Sequence, residues 1–215
     1  MGALFDDPVP LLVDLLLKIP ALLLAVTLHE VAHGVVADRL GDPTPRQHGR
    51  LTLNPLPHID PLGALAFVVA GFGWARPVPV TAGNFRHPLR DMAMVAAAGP
   101  AANFVVAFLG LVAVTLAGRA LPGMLIEPIG RLLLWTFQFN LALGVFNMIP
   151  LPPLDGGHFL PVLLPRGAAR AVQALGRYGP LLLLVLVVSG ATQYLVGPIF
   201  EALARLYVGL VRRLL

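Results

Sequence analysis

The sequence predicts a mainly α, polytopic membrane protein, and three observations carry that expectation. The 215 residues are 57% hydrophobic and only 12% charged, where a soluble domain is roughly half apolar and a quarter charged. Mean hydropathy is +0.82. Stretches at about 20–38, 92–117, 129–149 and 179–197 are long and apolar enough to span a bilayer. Arginines collect at the ends of these stretches, where they act as topology signals. The net charge of +4 therefore does not argue for a nucleic-acid partner. With no cysteine, disulfides and thiolate metal sites are excluded. The length suits one membrane-embedded domain, 1–215. The acidic start "MGALFDDPVP" lacks a positive n-region, so no cleavable signal peptide is expected. Asp6 fails the myristoylation pattern.

The first span opens at Pro20, which suits a first helical turn because its missing N–H has no partner to lose there. The preceding "LLVDLLLK" either extends that helix or lies at the interface. Gly41, Asp42, Pro43 and Pro45 end the span. Residues 43–90 have another character, with eight prolines between short apolar pieces. "GRLTLNP" and "WARPVPV" alternate like strands, and "LGALAFVVAGFG", at 62–73, is too short to span. This region is expected to be re-entrant and β-containing, since non-helical backbone at membrane depth needs protein or a watery cavity to satisfy it. At 198–215, Ile199, Phe200, Leu203, Leu206, Tyr207, Leu210 and Leu214 share a helical face, which predicts an amphipathic interfacial helix or a fifth membrane helix. Loop 39–90 holds six arginines and loop 150–178 three, against only Arg119 in 118–128. Both richer loops are accordingly assigned to the cytoplasm.

The chemistry begins at "HEVAH". His29 and His33, at i and i+4, share one helical face, so both imidazoles can bind one zinc while Glu30 serves as general base. Three polar residues satisfied inside a bundle would be the bland alternative, but an intramembrane charge is functional by default. A catalytic zinc needs a third protein ligand. In "NMIPLPPLDGGH" the prolines end the third span, and Gly156 and Gly157 free the backbone after Asp155. An aspartate there can be aimed inward as a ligand or can simply cap a turn, and His158 next to it is another candidate. Asn140 and Asn147, seven apart on one face of the third span, suit either hydrogen bonds to substrate backbone or zinc-bound water, or interhelical packing. "GPAAN" sets Gly99 and Asn103 on a small-residue face whose main expected role is close helix packing, with Asn103 also a candidate to bind substrate or to back the site. His58 and Asp60, in the proline-rich region, suit a shell behind the site or a brace for the re-entrant piece.

Together "HEVAH", "LTLNPLPHIDPLG", "FGWARPVPV", "AGPAAN" and "FNMIPLPPLDGG" resemble the site-2 protease family of intramembrane zinc metalloproteases, in order over roughly residues 20–197. The resemblance implies one Zn2+ per chain held by His29, His33 and Asp155, with Glu30 as catalytic base. It implies a transmembrane segment of another protein as substrate, cut within or near the bilayer. It also implies a short family form without appended regulatory domains, in a prokaryotic plasma membrane with the site toward the cytoplasm. The alternative is a noncatalytic metal-binding membrane protein, a transporter or an inactive protease-like scaffold. The glutamate inside the motif speaks against it, because a transporter needs ligands but no base between them.

Overall fold

The computed structural model describes the backbone of residues 8–70 and 73–215, and the side chains of 15–67, 73–123 and 125–215. The expectations for residues 1–7 and for positions 71–72 fall outside them. Three long helices carry the architecture: α1 (Pro8–Arg39), α4 (Pro88–Ala120) and α5 (Gly123–Asn147). Between α1 and α4 lie the short helices α2 (Thr44–Gln47) and α3 (Pro61–Ala70). After α5 come α6 (Gly156–Leu163), α7 (Arg166–Gly176), α8 (Gly179–Val188) and α9 (Ala191–Leu214).

Helices α1, α4 and α5 pack closely because their facing residues are small. Ala21, Ala25 and Ala37 of α1 are buried, as are Ala93, Ala96 and Ala107 of α4. Where lipid tails are as apolar as leucine, close backbone approach and interhelical hydrogen bonds drive such packing. Ala107 and Leu111 of α4 meet Phe137, Leu141 and Val145 of α5 in one cluster. Helix α9 covers that cluster with Val196, Phe200, Leu203, Tyr207 and Val211. The Tyr207 hydroxyl donates to the Phe104 carbonyl at 3.2 Å, and Arg119 at the end of α4 donates to the Leu215 carbonyl at 2.9 Å. Helix α9 therefore runs parallel to α4 and ends beside its C-terminus.

Among the described residues four helices are long and apolar enough to cross a membrane: Leu15–Arg39, Pro88–Ala120, Leu125–Asn147 and Ala191–Leu214. The first three match expected spans, and Pro20 proves to lie inside a longer α1. The last expected span, 179–197, is divided between α8 and α9. The apolar run breaks at Ser189–Gly190, where Gly190 takes φ +71°. Its N–H donates to the Val187 carbonyl at 3.0 Å, the left-handed glycine ending typical of a helix C-terminus. The segment beyond it, expected as an amphipathic or fifth membrane helix, joins residues 191–197 in α9. Helices α7 and α8 form a pair bent by 79°.

The β content expected in 43–90 is also corrected. Among the described residues there is no strand, only an isolated antiparallel bridge between Ile59 and Ala75. Prolines remove the N–H groups a longer ladder needs. The Arg76 N–H makes the bridge's own bond, to the His58 carbonyl at 2.9 Å, whereas the Val78 N–H goes to a side chain of α1. The expected re-entrant piece includes α3, whose Gly63 lies against the Trp74 backbone. Asp60 takes the Gly63 N–H at 2.8 Å and thus caps α3.

Candidate metal centre

His29 and His33 sit one turn apart on the buried face of α1, 6% and 8% exposed. Asp155 reaches them from the start of α6, where it is the N-cap residue in helical conformation (φ −58°, ψ −38°), rather than on unwound backbone. Its Oδ2 lies 3.1 Å from His29 Nε2 and 3.4 Å from His33 Nε2. The two Nε2 atoms are 3.0 Å apart. One ligand atom from each of the three residues falls within 4.8 Å of the others.

Hydrogen-bond partners fix the state of each imidazole. His33 Nδ1 faces the Val95 carbonyl at 2.7 Å. A carbonyl only accepts, so Nδ1 carries the hydrogen, and in the neutral ring Nε2 keeps a lone pair. His29 is set by a longer relay. Asn140 Nδ2 donates to the Thr136 carbonyl at 2.8 Å, which turns its Oδ1 toward Asn103. Asn103 Nδ2 donates to that oxygen at 2.9 Å and to the Ala25 carbonyl at 3.1 Å. Its own Oδ1 is left to accept from His29 Nδ1 at 2.6 Å. Both Nε2 atoms are therefore acceptors, aimed at each other and at a carboxylate oxygen that has no hydrogen-bond partner. A proton on one ring would satisfy one contact, whereas a divalent cation satisfies all three. Two neutral imidazoles and a carboxylate suit zinc, and outer partners that fix ring orientation are usual for metal-ligating histidines.

Gly99 makes room for this arrangement. A Cβ there would lie 2.6 Å from His29 Cε1 and closer still to His33 Nε2. The small face of "AGPAAN" thus admits the two rings as well as packing helices. Glu30, 8% exposed, accepts the Val78 N–H on Oε2 at 2.8 Å.

Other candidate residues fall elsewhere. Asn140 and Asn103 belong to the relay beside His29, and both are 0% exposed. Asn147 donates to the Leu143 carbonyl of its own helix at 3.0 Å and does not join it. His58 is 1% exposed and contacts Thr52 and Arg50 rather than the donor triad. His158 is exposed and lies outside the triad. Sequence reasoning missed the Val95 carbonyl and the Val78 N–H, since a backbone group has no residue-type signature. For Asn103 it ranked helix packing ahead of a place in the shell behind the site. A polar amide four residues from Gly99, in an otherwise apolar span, was the available signal.

The protein named "Putative zinc metalloprotease YwhC", from Bacillus subtilis, is 39% identical over 184 residues, with 84% of each chain covered. The model of peptidase family M50 matches residues 122–187. The chain belongs to peptidase family M50. This M50 chain also resembles two mycobacterial proteins carrying the same zinc metalloprotease designation. Rip2 of Mycolicibacterium smegmatis is 33% identical, over 82% of this chain and 68% of that protein. Rip3 of Mycobacterium tuberculosis is 31% identical over 87% of this chain, which spans 42% of Rip3's length. No solved structure gives a significant match. As an M50 zinc metalloprotease, the chain is an enzyme that acts on protein substrates.

Proposed function

We propose that this chain is an intramembrane zinc endopeptidase that cuts transmembrane segments of other membrane proteins. In this reading residues 1–215 act as one membrane-embedded catalytic domain. One observation carries it: the two acceptor histidines are buried on a helix long enough to cross a membrane, and Asp155 is brought to them from the start of α6. His33 and His29 lie 6 and 10 residues from Arg39, the end of α1, which is roughly 9 and 15 Å at 1.5 Å per residue. A hydrocarbon core is about 30 Å thick, so the centre would lie inside it. The arginine-rich 39–90 and 150–178 loops support a cytoplasmic side for the Arg39 end, and the bacterial relatives support a bacterial membrane.

His29, His33 and Asp155 would hold the ion and leave its fourth position open. When bound there, zinc supplies Lewis-acid chemistry toward water and a peptide carbonyl. Glu30 takes a proton from the attacking water and returns one to the leaving amine. The Asn140–Asn103 pair and the Val95 carbonyl hold the Nδ1 hydrogens and aim both Nε2 atoms at the ion. The small residues around Gly99 keep the rings close to α4 and away from lipid.

The test is zinc content and cleavage of a panel of transmembrane peptides by the full chain in detergent. Glu30→Gln should keep its zinc and lose cleavage by about 10²–10⁴-fold, the range for a general base. Near-normal turnover by this variant would sink the mechanism.

A further inference from the structure

The proline-rich segment touches Glu30 through a backbone group, and the surrounding contacts hold that group in place. Between Arg76 and Val80 the only N–H groups belong to residues 76, 78 and 80, because 77 and 79 are proline. In extended chain, residues two apart share an edge. Residue 76 is anchored on both sides. Its N–H donates to the His58 carbonyl at 2.9 Å, and its carbonyl accepts from Arg50 Nη2 at 2.5 Å. Two residues on, the Val78 N–H donates to Glu30 Oε2 at 2.8 Å. Prolines with fixed φ flank Val78, so little freedom remains between the anchor and the donor.

The anchor is itself buried. Arg50 is 6% exposed and His58 1%. His58 Nε2 donates to the Thr52 carbonyl at 3.0 Å, which leaves Nδ1 bare to face Arg50 Nη2 at 3.5 Å. The Arg50 N–H donates to the Pro45 carbonyl at 2.9 Å. Gly34, one helical turn from Glu30, admits the whole assembly to α1. A Cβ there would lie 2.7 Å from Leu51 Cδ2, 3.3 Å from Pro45 Cβ and 3.5 Å from Val78 Cγ1. A buried arginine that braces a carbonyl and shares a neighbourhood with a glutamate is an expensive feature, and its position behind Val78 accounts for it.

We propose that Val78 is a positioning residue whose backbone N–H orients the Glu30 carboxylate, and that Arg50 and His58 hold the segment carrying that N–H. The inference rests on the reading of Glu30 as general base. A glutamate side chain has several free torsions, and fixing them is entropically unfavourable. Proton transfer needs the carboxylate within about 2.6–3.2 Å of its partner. A fixed donor on Oε2 restricts the carboxylate and leaves Oε1 for the proton. Since the N–H acts through Glu30, its loss should appear in kcat and leave KM and bound zinc alone.

The experiment measures kcat, KM and zinc content for the full chain on a transmembrane peptide that the wild type cleaves. Val78→Pro deletes the donor and should lower kcat about ten- to a hundredfold with KM and zinc unchanged. Val78→Thr keeps both donor and shape and should restore kcat to within about threefold of wild type. Arg50→Met should lower kcat by a smaller factor and, because it acts through the same N–H, add nothing in the Val78→Pro background. Wild-type kcat in Val78→Pro overturns the proposal, as does a loss confined to KM. If Val78→Pro fails to hold zinc, Arg50→Met decides: a kcat loss at constant KM and zinc supports the proposal, and wild-type kcat overturns it. Glu30→Gln run alongside separates the two levels, since its activity would remove the base itself rather than its positioning.

Discussion

The site has a helix-borne half and a loop-borne half, and they are built by different physics. In the first, His29, Glu30 and His33 project from one helix, and Asn103 and Asn140 from two others. Backbone hydrogen bonds inside each helix already fix these positions, so side chains need only aim. In the second, Asp155 and the Val78 N–H sit on chain that has no ladder or long helix of its own. Those groups are held by prolines, by caps and by contacts from distant residues. The comparison teaches that the proposed metal centre draws its histidine spacing from helical periodicity, while its third donor and the contact to Glu30 depend on short segments packed against the long helices.

Removing the loop-borne ligand should give the largest effect. Asp155→Ala should weaken zinc binding by more than the about hundredfold upper range for outer partners and abolish cleavage. His158→Ala, on the exposed neighbour, should change neither. Metal analysis of the purified variants decides between them, and the reverse pattern would break the division proposed for the loop half.

The helix half should yield a graded response. Asn103→Ala removes the acceptor of the His29 Nδ1 hydrogen and should weaken zinc binding about 10- to 100-fold. Asn140→Ala acts one step further out and should fall below that range. Equal losses in a zinc titration would show that the relay is not ordered as the hydrogen bonds suggest.

The smallest effect concerns how the loop half is tied to the end of α1. Asp42, fully buried, accepts from the Thr44 hydroxyl and N–H, the Thr81 N–H and Asn84 Nδ2. Burial pushes its carboxyl up, but the Thr44 hydroxyl, the Thr81 N–H, Asn84 and the Thr44 N–H outweigh that and hold it below the usual range. A lowered folded value means that this group stabilises the protein at pH above its unfolded value, near 3.9, and that the stabilisation fades as pH falls through the folded value. Asp42→Asn should therefore flatten the acid side of a Tm-versus-pH profile below about pH 4. It should also lower Tm near neutral pH by a few degrees, at about 2–4 °C per kcal/mol for a chain of this size. An unchanged acid limb would show that the four donors do not discriminate between carboxylate and amide.

The sequence by itself determined the membrane class, three of the spans and the pairing of His29 with His33, because each follows from local rules. Hydropathy over a window is a local sum, and i, i+4 spacing is a property of one helix. Only the tertiary structure decided which polar residue completes the triad, that the last spanning helix begins after Gly190, and that Asn103 serves an imidazole while Asn147 serves its own helix. Asn103 and Asn147 are the same residue type in similarly apolar helices, and no local rule separates them. What separates them is which helix stands opposite, and that depends on how α1, α4 and α5 pack around Gly99, a contact between residues some seventy positions apart in the chain.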